Sequence, residues 1–162
     1  MGPNPAVSNT TVRTGPDKLA LAISCLRQGR NAEAFLILCE PGFEKEPAAQ
    51  FALGLCYLRA EETIKAVTFF EQALRFLKAA SVPAGDPAGN DVYIRLAVKQ
   101  IASEAYLEPM DAEVYSVLPR TAKNTILMAL VHAYKKNGMP EQARKIAAGL
   151  TGTEFEELRR TL

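Results

Sequence analysis

Few side chains in this sequence are equipped for chemistry. His132 is the single histidine, and the nucleophile and metal patterns that would need partners for it are missing: there is no HExxH, no GxSxG and no glycine-rich phosphate loop. His132 lies four residues after Met128 and four before Lys136, which places it on a helix face other than the one carrying Leu130 and Tyr134. A polar contact on that face, not acid–base work, is the expected role. Cys25, Cys39 and Cys56 are odd in number and sit among apolar residues without a CxxC or Cys/His cluster, which predicts reduced, buried thiols acting as small hydrophobes. The paired acids Glu61-Glu62 and Glu156-Glu157 flank helix starts, where the macrodipole favours them. No catalytic residue, metal site or cofactor is therefore assigned.

The elements that carry these residues are helices. An apolar fraction of 48% with 23% charged residues is that of a globular chain, and 162 residues suffice for one sizeable core. A net charge of +1, with acids and bases interleaved as in Glu44-Lys45-Glu46, offers no field for nucleic acid or an anionic membrane. No stretch has the apolar length of a membrane span, and the first residues lack the apolar run of a secretory signal. Gly2 is followed by Pro3 and has Ala6 where a myristoylation pattern wants Ser or Thr. The expected address is cytoplasmic.

Residues 1–16, with three prolines, read as a flexible arm, and order is expected from Asp17. Helical stripes over 17–40, 47–80 and 120–149 each form a hairpin, with Ile64, Val67, Phe70, Ala73, Leu74 and Leu77 facing inward on the long helix from Glu61 to Ala80. The stretch 81–91, SVPAGDPAGND, reads as a loop, and 91–118 as a degenerate hairpin cut short by Pro119. Its Ala102, Tyr106 and Tyr115 keep the four- and nine-residue intervals of the better hairpins. Thr153 and Glu156 fit a capping box that starts a last helix over 153–162.

One ladder carries most of the information. Leu53, Gly54, Tyr57, Ala66, Phe70 and Ala73 step by helical intervals of four, then by nine across a polar turn, then by four and three. Leu130, Tyr134, Ala143, Ala147 and Leu150 repeat it, and Leu21, Ala22, Cys25, Ala34 and Leu38 give a weaker copy. This pattern resembles the tetratricopeptide repeat family, whose unit is a helix hairpin with a small residue at the closest approach. Val131 stands where that small residue belongs in the last unit, which predicts a slightly wider spacing of its helices.

The resemblance implies an all-α superhelix, a solenoid of about four hairpins with a capping helix, and a concave wall built from the first helix of each hairpin. On this wall the family's pattern places Leu19, Ile23 and Leu26, then Phe51, Leu55 and Leu58 with Arg59 at the rim, then Met128 and His132. An apolar wall of this kind implies a protein-interaction adaptor that takes an apolar or amphipathic segment of another protein. A dedicated chaperone for a secretion or assembly subunit, and a self-associating homo-oligomer, are the alternatives, and the chain's own arm over 1–16 is a further candidate occupant of the groove. The Lys, Arg and Asn of a carboxylate clamp are missing from the wall, with Arg27, Arg59, Lys135 and Lys136 only at its rim.

Overall fold

The computed structural model describes residues 15–78, 91–150, 152, 155, 156 and 160. All elements among them are helical, and none is a strand. The helices are α1 (Gly15–Arg27), α2 (Asn31–Leu38), α3 (Pro47–Arg59), α4 (Thr63–Lys78), α5 (Asp91–Ala102), α6 (Ala112–Val117), α7 (Pro119–Lys136) and α8 (Pro140–Ala147), with a 3-10 turn at Ala105–Leu107. None is long and apolar enough to cross a membrane among the described residues.

Three helix pairs close in the same way. At the end of α1, α3 and α7 the amides of Arg30, Glu62 and Met139 bond to the carbonyls of Cys25, Tyr57 and Tyr134, at 2.8, 2.9 and 2.9 Å. Each bond spans a residue in the left-handed region, Gly29, Glu61 and Gly138, so orphan carbonyls of the first helix are satisfied as the chain reverses. The second helices then start at corresponding places, Asn31, Thr63 and Pro140.

Inside each pair a small residue faces a larger one, or the reverse. A Cβ added to Gly54 would overlap the Phe70 ring, so α3 and α4 are as close as a missing side chain allows. The corresponding pair in α1 and α2 is Ala22 with Leu38, and in α7 and α8 it is Val131 with Ala147, all buried. Val131 is accommodated because the residue in the register of Phe70 is only alanine. Phe51 lies beside Phe70 with the rings tilted and their centroids 5.4 Å apart, and these two are among the largest fully buried side chains.

The pairs pack in series, α2 along α3 and α4 along α7. The expected hairpin over 91–118 is thus not a member of the series. Its helix α5 stops at Ala102, Glu104 adopts a left-handed conformation, and α6 packs on α3 and α7. Pro119 does not interrupt a hairpin but opens α7 as a first-turn residue. At the other ends, α1 begins at Gly15, two residues before Asp17, and Ile64 is exposed instead of facing the core. The arm over 1–14, the loop over 79–90 and most of 153–162 lie outside the described residues, although Phe155 is buried against Leu127, Met128 and Leu150.

Candidate functional site

The first helices α1, α3 and α7 carry every residue expected to line an open wall. Six of these residues, Leu19, Ile23, Leu26, Phe51, Leu55 and Leu58, are buried, and so is Met128. Only Arg59 and His132 retain partial exposure. The wall is not open. Residues 103–118, which link α5 to α7, lie across it and turn Pro109 and Tyr115 fully inward, with Leu107, Met110 and Val114 partly buried against the same core.

Leu53, Gly54, Ala66, Phe70, Ala73, Leu130, Ala143 and Ala147 are buried, while Tyr57 and Tyr134 are half-buried at the pair interfaces. Tyr57 stacks on Phe69 at 5.0 Å between centroids and meets Phe35 edge-on. The hydroxyl of Tyr134 donates to Glu71 Oε1 at 2.8 Å, joining α7 to α4. Burial first, and then this carboxylate, push the Tyr134 phenol up to about 12.

A row of polar contacts holds the covering segment at its edge. Arg27 Nη1 lies 3.0 Å from Asp111 Oδ1, and Arg27 Nη2 donates to the Pro109 carbonyl at 3.1 Å. Arg59 Nη2 is 3.6 Å from Glu108 Oε2, while its Nη1 donates to the Leu26 carbonyl and to Asn31 Oδ1 at 2.9 and 2.8 Å. His132 Nδ1 is 3.4 Å from the Tyr106 hydroxyl and 4.0 Å from Glu104 Oε1. Lys136 lines the same 370 Å³ hollow as Arg59, Glu104, Glu108 and His132. Arg27, Arg59 and Lys136 occupy one register of the three pairs, each in the last turn of its first helix.

This arrangement is poor in chemistry. Burial lowers the His132 pKa, with Glu104 opposing and Lys136 and Lys135 assisting, so the ring is neutral at neutral pH. Its neighbours supply no nucleophile. Among the described residues no group of His, Cys, Asp and Glu is arranged to hold a metal ion. Cys25 and Cys56 are buried as expected, and burial raises the Cys56 thiol to about 11, but Cys39 is exposed. It follows the last turn of α2 as the residue that caps the helix.

Where α1 and α3 begin, the cover leaves a cleft of about 880 Å³ beside the flank of α6, lined by the wall residues Leu19 and Ile23 together with Phe43 and Tyr115. On the far side, α5 leaves Val92, Leu96 and Val98 exposed, and the end of α6 leaves Val117 and Leu118 exposed. Sequence reasoning missed the covering segment. The available signal was its alternation of acids and apolar residues over Glu104 to Tyr115, which has the composition of a surface strap rather than of a stacking helix. Set against protein-family models, curated proteins and solved structures, the chain matches none.

Proposed function

We propose that this chain is a tetratricopeptide-like stack of helix hairpins that works as a protein-interaction adaptor. The observation that carries the reading is the threefold recurrence of one hairpin closure, at Gly29, Glu61 and Gly138, together with series packing of α2 on α3 and α4 on α7. A stack built this way presents one register of first-helix side chains to a partner along its length. The basic residues Arg27, Arg59 and Lys136 occupy that register.

Affinity capture from the native lysate with mass spectrometry tests the reading, run beside light scattering on the purified protein. An adaptor is monomeric at micromolar concentration and retains a small, reproducible set of proteins at near-stoichiometric yield. Retention of nothing above the control resin would sink the adaptor reading. A second reading, self-association, is favoured by the exposed Val92, Leu96 and Val98 on α5 and Val117 and Leu118 at the end of α6. Dimers in the scattering experiment that disappear on changing Leu96 to Glu would move the assignment there.

A further inference from the structure

Segment 103–118 has the character of a bound peptide that happens to be covalently attached. Its apolar side chains, Leu107, Pro109, Met110, Val114 and Tyr115, turn into the wall of α1, α3 and α7, whereas Glu104, Glu108 and Asp111 stay exposed at the edge. Those three acids are spaced by four and three residues, and each meets a different first helix: Glu104 at His132 of α7, Glu108 at Arg59 of α3, and Asp111 at Arg27 of α1. One carboxylate is thus matched to one basic or imidazole side chain per helix pair. Hairpin packing does not require this match, since the closures and the ladder lie elsewhere in each pair.

We propose that residues 103–118 are a built-in occupant of this face, exchanged for a segment of a partner protein with the same chemistry: apolar side chains flanked by carboxylates recurring every three to four residues. The inference rests on the adaptor reading for the identity of that partner. Charge complementarity selects the occupant, because the wall offers the cations Arg27, Arg59 and Lys136 beside the neutral His132 ring, and the charged residues of the covering segment are acids only. The edge contacts are weak individually. Glu108 and Asp111 have side chains 64% and 61% exposed, so salt and water compete with each pair. Burial of its apolar side chains holds the segment, and attachment adds to this by giving a tethered peptide an effective concentration on the order of millimolar. A partner of equal contacts must overcome that local concentration, which makes exchange adjustable.

The test uses the full chain and a fluorescein-labelled synthetic peptide of residues 103–118, read by anisotropy at low salt. In one variant the tethered acids are neutralised together, Glu104→Gln, Glu108→Gln and Asp111→Asn. The free peptide is expected to bind this variant about three- to tenfold more tightly than the parent, the range that loss of a few exposed ion pairs sets. Adding Arg27→Gln to the neutralised chain, or giving the peptide the same three neutralisations, should reverse the gain. Equal binding to parent and variant, or none to either, overturns the proposal. So does loss of helicity by circular dichroism in the neutralised chain, because the segment would then be part of the core, and so does a dimer that excludes the peptide, because a second copy would then be the occupant. The adaptor reading fails separately: peptide exchange with no native protein retained by the neutralised chain leaves the exchange standing without it. Retained proteins indifferent to the neutralisation do the reverse.

Discussion

The α3/α4 pair and the α7/α8 pair solve one packing problem with opposite assignments of volume. In the first, Gly54 removes its side chain so that Phe70 can lie across the helix; in the second, Val131 is the larger partner and Ala147 the smaller. The interface therefore constrains the summed size of two facing positions more than either residue. A small residue in the first helix is one solution, not a requirement of the hairpin, and a pattern that asks for it alone mistakes Val131 for a defect.

The comparison breaks most visibly at Phe70. Phe70→Ala leaves a cavity facing Gly54 and beside Phe51, at a cost of about 3–5 kcal/mol. In a domain of this size that lowers the melting temperature by roughly 2–4 °C per kcal/mol. Gly54→Val overpacks the same place and should cost about 1–3 kcal/mol. Combining the two converts this pair into a copy of Val131 and Ala147, so the double variant should melt above Phe70→Ala alone. Additive losses in a double-mutant cycle, with no coupling of about 0.5 kcal/mol or more, would show that the two positions do not share one volume.

The turns sharpen the comparison on a smaller scale. Glu61 and Gly138 hold the same left-handed position, at φ of 64° and 69°, but only Glu61 carries a side chain there. Glu61→Gly relieves a conformation that L-residues resist, and should stabilise by up to about 1 kcal/mol. Gly138→Ala should destabilise by a similar amount, although a Cβ at that position meets no atom within 4 Å. Chemical denaturation midpoints moving the same way in both variants would contradict the shared geometry.

The smallest effect lies between the pairs, at Tyr134 and Glu71. The phenol is held protonated in the folded state up to about pH 12, against an ordinary value near 10. Its contribution is therefore complete below pH 10 and is lost as pH rises from about 10 towards 12. Melting temperatures of the parent should fall more steeply over that interval than those of Tyr134→Phe. Parallel curves would mean that the bond to Glu71 contributes nothing.

The helices, their pairing and nearly all of the ladder were legible because they are encoded locally, in intervals of three, four and nine residues that any neighbouring helix would read alike. Ile64 shows the limit: it keeps helical register with Val67 and Phe70, yet it stands in the first turn of α4 and is exposed. The site was legible only in part. Phe51, Leu55 and Leu58 are buried, and apolar residues on a wall look the same in sequence whether they await a partner or lie under the chain itself. What covers them depends on contacts such as Arg27 with Asp111, between residues far apart in sequence and with no periodicity. Spacing at Ala102, Tyr106 and Tyr115 imitated a hairpin because two helical intervals recur easily by chance in a short segment.

The covering segment also changes how the molecule comes apart. A row of helix pairs that touch only their neighbours loses its members one at a time from the ends. Here a single stretch of chain touches α1, α3 and α7 at once, through Asp111, Glu108 and Glu104. Fraying of the first pair then withdraws an anchor from the last, and the row melts as one unit while the segment is docked. Its release would return the pairs to independence, so that occupancy of a single face sets whether the protein behaves as a rigid block or as a chain of links.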